Sequence, residues 1–124
     1  MKKSILVVDD DRMQRQIIID MLNSFSEKYA VLSADSGETA CKITEKFIPD
    51  LILMDWTMPG MSGSETSLFI KNRESTKHVP IIVITGLSFP EQLAEISTTG
   101  IDGYIAKPVS AAELLSSVNK IFND

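Results

Sequence analysis

Residues 51–63 read Leu51-Ile52-Leu53-Met54-Asp55-Trp56-Thr57-Met58-Pro59-Gly60-Met61-Ser62-Gly63. The first four are uninterrupted apolar residues, which suits a strand buried on both faces, as in a parallel sheet. Asp55 closes that run. A carboxylate at the end of a buried strand costs free energy unless it is paired or liganded. Pro59-Gly60 fits the two central positions of a type II turn, the second of which needs a positive φ. Ser62, with Glu65 three residues on, fits a helix capping box. The stretch is therefore one βα unit with an acidic residue at the mouth of a tight loop.

Working outward, similar short runs recur at wide spacing: Ile5–Val8, Tyr29–Leu32, Ile81–Ile84 and Tyr104–Ala106. Segments of helical period lie between them. Met13, Ile17, Met21 and Phe25 are spaced for one helix face, as are Ala40, Ile43 and Phe47. Leu93 with Ile96, and Leu114 or Leu115 with Val118 and Phe122, continue the pattern. Helix starts are predicted at Asp11…Gln14, Asp35…Glu38, Ser62…Glu65, Ser88…Glu91 and Ser110…Glu113, each a capping-box pattern just before such a segment. Pro90 falls in a first helical turn, where its missing N–H does no harm. The result is a (βα)5 chain, which implies a doubly wound parallel sheet with helices on both faces.

The 124 residues are enough for one domain, and residues 1–124 are read as a single domain. The lone cysteine, Cys41, excludes an internal disulfide framework. A net charge of −5 argues against non-specific binding to nucleic acid or to an anionic membrane surface. The longest apolar runs fall far short of the roughly 20 residues a membrane-spanning helix needs. The Met1-Lys2-Lys3 start is followed by an apolar stretch that stops at Asp9, too soon for a signal peptide. A cytoplasmic location is the resulting expectation.

Ligands of open α/β sheets bind beyond the carboxyl ends of the strands. Strand one ends in Asp9-Asp10-Asp11, strand three in Asp55, strand four in Thr85-Gly86 and strand five in Lys107-Pro108. Asp11 is assigned to the helix cap. Oxygen ligands without His or Cys suit Mg2+, with Mn2+ as a possible substitute. Lys107 offers a movable point charge for a carboxylate or a phosphate. Thr85 offers a hydroxyl, and Gly86 beside it leaves room for a substituent. Asp55, a metal on Asp9 and Asp10, Lys107 and Thr85 supply the nucleophile, metal, cation and donor that a phosphoryl group requires. Trp56 is expected to be half exposed, His78 to lie at the surface, and Cys41 to be partly buried. Met58 and Met61 are expected near the site mouth.

The ordered set Val7-Val8-Asp9-Asp10, Leu53–Gly63, Ile84-Thr85-Gly86 and Gly103-Tyr104-Ile105-Ala106-Lys107-Pro108 resembles the receiver domain of two-component response regulators, along the whole chain. The resemblance implies a flavodoxin-like sheet in the order 2-1-3-4-5. It implies a signalling switch that catalyses only its own phosphorylation and slow dephosphorylation. Asp55 would take a phosphoryl group from the phospho-His of a sensor histidine kinase or histidine phosphotransfer protein. Mg2+ would be held by Asp10, Asp55 and the backbone carbonyl of Thr57, with Asp9 acting partly through water. Lys107 would bind the phosphoryl oxygen, Thr85 would move towards it, and Tyr104 would follow inward. The Lys107–Pro108 bond would be cis. Output would pass through the face of helix four, strand five and helix five to a downstream protein or output domain, with a phosphorylation-dependent homodimer as another arrangement. Thr57 and Leu87 resemble positions that tune acyl-phosphate lifetime; neither is a base for water, so no fast built-in hydrolysis is predicted.

Other readings fit less well. A haloacid-dehalogenase-type phosphatase would have a second Asp two residues after the nucleophile, where this chain has Thr57. A flavin or nucleotide carrier would hold phosphate at the loop after strand one, where Asp9-Asp10-Asp11 would repel it. A degenerate receiver would lack one of the core residues, and none is missing.

Overall fold

The computed structural model describes residues 2–25, 27–86 and 100–123. Five parallel strands, β1 (Lys3–Val8), β2 (Tyr29–Ala34), β3 (Leu51–Asp55), β4 (Ile81–Thr85) and β5 (Gly103–Ala106), form one sheet in the order β2-β1-β3-β4-β5. The alternating sequence implied a doubly wound parallel sheet, and the family resemblance implied this flavodoxin-like strand order. The described helices are α1 (Arg12–Phe25), α2 (Gly37–Lys46), α3 (Gly63–Lys71) and a C-terminal helix (Ala111–Phe122). The helix predicted from Ser88, with Pro90, Glu91, Leu93 and Ile96, lies outside the described residues, as does Leu87.

The strands divide their side chains between two cores with a period of two. Leu6, Val8, Ile52, Met54, Ile81 and Val83 pack with Ala40 of α2 and Ile70 of α3. Ile5, Val7, Leu51, Leu53, Ile82 and Ile84 pack with Ile18 and Leu22 of α1 and with Leu114 and Val118 of the C-terminal helix. Both faces are covered, which explains why β1, β3 and β4 read as unbroken apolar runs. β2 is an edge strand, and its first four residues are only half-buried.

Three expectations shift. The stripe predicted on α1 is rolled: Ile18 and Leu22 are buried, Ile17 is exposed, and Met13 is 72% exposed. Three consecutive isoleucines, Ile17 to Ile19, satisfy more than one helical phase, so periodicity alone does not choose the face. On α2 the buried residues are Gly37, Ala40, Cys41 and Thr44; Ile43 is half-buried, and Phe47 is an exposed C-cap in extended backbone. The α2 N-cap is Ser36 rather than Asp35: its hydroxyl accepts the Thr39 N–H at 3.0 Å. The capping boxes predicted elsewhere fare better. Asp11 Oδ1 accepts from the N–H groups of Met13 and Gln14. Ser62 and Glu65 form a complete reciprocal box, and Ser110 accepts from the Glu113 N–H.

Candidate functional site

The sheet register brings the chemically active residues to one edge. Val8 pairs with Met54, so Asp9 and Asp55 follow side by side at the ends of β1 and β3. Asp55 pairs with Ile84, placing Thr85 next at the end of β4, and Thr85 pairs with Ala106, the residue before Lys107. Backbone bonds continue the ladder past the strand ends: Asp9 N–H to the Ala34 carbonyl, Trp56 N–H to Ile84 and Lys107 N–H to Thr85.

Asp9, Asp10 and Asp55 each offer a carboxylate oxygen, and these atoms lie within 4.8 Å of one another. Asp9 is 1% exposed and Asp55 6%, whereas Asp10 is exposed. Lys107 Nζ stands 3.3 Å from Asp55 Oδ1 and 3.9 Å from Asp9 Oδ2. Burial raises the pKa of Asp55 to about 6; the neighbouring Asp9 charge adds to the rise, and Lys107 opposes it. Asp9 is also raised, mainly by burial, against the hydrogen bond from the Asp11 N–H and the charge of Lys107. One ammonium thus stands against three clustered carboxylates.

The donor set fits a hard divalent cation. Among the described residues Asp9 Oδ2 is buried without a hydrogen-bond partner, and an orphaned buried acceptor is costly. Carboxylate oxygens without His or Cys are the ligands Mg2+ takes, a few at a time, beside water and phosphate. A cation here would offset both the repulsion and the desolvation that raise these carboxyl groups.

The loop after Asp55 is anchored from two sides. Gly60 has φ +73°, as the second central position of a type II turn requires. The Gly63 N–H donates to the Trp56 carbonyl at 3.0 Å. A Cβ on Gly63 would stand 2.7 Å from both the Asp55 carbonyl oxygen and Trp56 Cα, so only glycine lets α3 begin so close to the strand end. From α2, Glu38 accepts a long 3.4 Å bond from the Met61 N–H, and Cys41 Sγ lies 3.8 Å from Met61 Sδ. A Cβ on Gly37 would stand 2.9 Å from the Met61 carbonyl. Glu38 is therefore turned towards the loop, which accounts for its absence from the capping box predicted with Asp35.

The remaining site residues divide. Thr85 is buried at the end of β4 and Thr57 is exposed in the loop. Gly86 lies beside the Lys107 stem, where an added Cβ would touch Lys107 Cβ and Cδ at 3.7 Å. The Lys107–Pro108 bond is cis. Tyr104 is 43% exposed on β5, and His78 is exposed. Trp56 corrects the sequence expectation: it is 5% exposed, packed with Met54 and Met58 in the core beneath α2 and α3. Cys41 is buried rather than partly so, and burial raises its thiol pKa. Met58 is likewise buried, while Met61 is half-buried in the loop. Gly63 and Arg15, which donates to the Asp9 carbonyl, had no role assigned from sequence. A glycine directly after a Ser cap, where many residues would serve, was the available signal for the first.

The family described as response regulator receiver domain matches residues 5–119. The chain is 37% identical over 118 residues to the chemotaxis protein CheY-3 of Vibrio cholerae serotype O1, covering 95% of this chain and 90% of that protein. It is 28% identical over 124 residues to the polar-differentiation response regulator DivK of Brucella ovis, covering 100% and 99%. Among solved structures, it is similar to the receiver domain of the sensor histidine kinase PA1611 of Pseudomonas aeruginosa, with a TM-score of 0.90 and 28% identity, covering 100% of both chains. That structure has a magnesium ion coordinated in its active-site cleft. Among the described residues, no helix is long and apolar enough to cross a membrane.

Proposed function

The chain belongs to the response regulator receiver domains of two-component signalling, and on that premise we propose that it is a phosphorylation switch whose acceptor is Asp55. The observation that carries this reading is the placement of Lys107 Nζ 3.3 Å from Asp55 Oδ1, within a cluster that also includes Asp9 and Asp10. The phosphoryl donor is a phospho-His of a sensor histidine kinase or a histidine phosphotransfer protein. An Asp55 oxygen attacks phosphorus, the P–O bond forms as the P–N bond breaks, and the freed imidazole nitrogen keeps the electron pair and takes up a proton.

Asp10, Asp55 and the Thr57 carbonyl would hold Mg2+, with Asp9 assisting partly through water; Mn2+ suits the same oxygen set. Bound there, the cation supplies charge neutralisation at the phosphoryl oxygens. The protein's own part is positioning. The strand register fixes Asp55, and Lys107 holds a point charge where a phosphoryl oxygen gathers. Lys107 exchanges its bond to Asp55 for one to the phosphoryl group. Thr85, buried one residue past the strand pairing of Asp55, donates its hydroxyl to the same group. Gly86 leaves the Lys107 stem unobstructed, and Pro108 follows it through the cis bond.

The modified state is favoured by the contacts that only the phosphoryl group can make, so phosphorylation shifts a population. Tyr104, exposed on β5 in this structure, moves inward as Thr85 moves. The output surface includes β5 and the C-terminal helix, where a groove of about 480 Å³ is lined by Tyr104, Gly103, Ser117 and Lys120. A downstream protein or output domain docks there, or a second phosphorylated copy does. The expected location is the cytoplasm, where such kinases present phospho-His.

Trp56, which shares a peptide bond with the acceptor, reports the switch. Its fluorescence should change on adding Mg2+ and change again, saturably, on adding beryllofluoride. The second change should vanish in Asp55→Asn. A wild-type protein that binds Mg2+ yet gives no second change, with no phosphoryl adduct by intact mass, would overturn the reading.

A further inference from the structure

Asp9 is tethered at three of its four polar atoms. Its N–H donates to the Ala34 carbonyl at 3.1 Å, and its Oδ1 accepts the Asp11 N–H at 2.9 Å. Its carbonyl oxygen accepts from Arg15 Nη1 at 2.7 Å. Only Oδ2 is left, buried and without a hydrogen bond among the described residues, on the side facing Lys107 at 3.9 Å. Two of the three tethers are backbone groups that come with the fold. The third is a single side chain, reaching back from the first turns of α1 across the loop that holds Asp10.

We propose that Arg15 is a positioning residue for the acidic cluster: by holding the Asp9 carbonyl it fixes the β1–α1 loop, so that Asp9 Oδ2 and the Asp10 carboxylate stand ready for a divalent cation. The inference rests on the Mg2+ reading of the cluster given above. Outer-shell partners of this kind orient metal ligands, and their removal typically weakens metal binding by about 10–100-fold.

A competing role has the opposite sign. If Arg15 acted through its charge, it would repel a cation, and removing it would tighten binding. The geometry favours the mechanical role, because the guanidinium meets the carbonyl and not the carboxylate of Asp9.

The test is Mg2+ binding by titration calorimetry to the full chain, together with urea unfolding without metal. Arg15→Met keeps most of the apolar stem and loses the donor. It should weaken Mg2+ binding by about tenfold or more. Arg15→Lys keeps the charge but replaces the planar fork with a single ammonium, and should weaken binding by a smaller factor, about threefold. Because charge is unchanged in the lysine variant, weakening there reports position, and it decides the matter should the methionine variant fail to fold. Unchanged or tighter binding in either folded variant overturns the role. A merely structural contribution would lower the urea midpoint while leaving the affinity of the folded protein intact, and that outcome overturns it too. A wild-type protein that takes up no Mg2+ instead overturns the metal reading on which the inference rests.

Discussion

Lys107 Nζ donates to Asp55 Oδ1 at 3.3 Å, joining the ends of β5 and β3 across 52 residues of sequence. The pair is mostly buried, and the same ammonium also stands near Asp9. Removing the ammonium leaves the buried carboxylates of Asp55 and Asp9 without the charge that opposes their repulsion. Lys107→Met should therefore lower metal-free stability at pH 7 by about 2 kcal/mol or more. It should also slow Asp55 phosphorylation by acetyl phosphate at least tenfold, since a donor aimed at developing charge is typically worth that or more. Urea unfolding and a time course of intact mass measure the two effects.

The acidic cluster should make metal-free stability depend on pH. Asp55 titrates at about 6 in the folded protein, against an ordinary value of 3.8. Between those values the folded state holds a proton that the unfolded state has lost, so stability falls as pH rises through about 6. Asp9, raised for the same reason, adds in the same direction. Asp55→Asn removes the larger share of this dependence. At pH 7 without metal it should be more stable than wild type, by up to about 3 kcal/mol, and the advantage should shrink towards pH 4. Thermal unfolding across that range, in chelator, checks the sign.

Mg2+ should reverse that penalty. A ligand bound only to the folded state adds about 2.7 kcal/mol at one hundred times its dissociation constant. The melting temperature of wild type should rise with Mg2+ at pH 7, and Asp9→Asn should lose most of the rise. The gain should also diminish as pH falls through about 6, where Asp55 takes up a proton.

Gly63 should be intolerant of a side chain. A Cβ 2.7 Å from the Asp55 carbonyl and Trp56 Cα forces backbone to move, because neither neighbour is the end of a flexible side chain. Gly63→Ala should cost about 1–3 kcal/mol in urea unfolding, the range for overpacking, and should weaken Mg2+ binding by displacing Asp55. Gly86→Ala makes only ordinary contact with the Lys107 stem and should cost far less.

The fold was legible because two signals agreed. Buried runs such as Ile5–Val8 and Leu51–Met54 ended at acidic residues, and capping patterns such as Ser62…Glu65 followed. Strand order came from the family resemblance and agrees with the observed register. The rotation of α1 was not legible, because Ile17, Ile18 and Ile19 offer several phases and only packing against β1, β2 and the C-terminal helix selects one. Trp56 misled because its place beside an acidic mouth says nothing of its side chain, which follows strand alternation into the core. At the site, Asp9, Asp10, Asp55 and Lys107 were readable as strand-end residues. The tethers of Arg15, Glu38 and Gly63 were not, since each depends on a loop conformation that residue type does not encode.

The proposed switch depends on Mg2+-dependent phosphoryl transfer to Asp55. The most direct measurement treats wild type and Asp55→Asn with acetyl phosphate, with and without Mg2+, and follows intact mass and peptide fragmentation. One phosphoryl adduct is expected on wild type, located at Asp55, dependent on Mg2+ and missing from the variant. An adduct that persists in Asp55→Asn, or no adduct on a wild type shown to bind Mg2+, would contradict it.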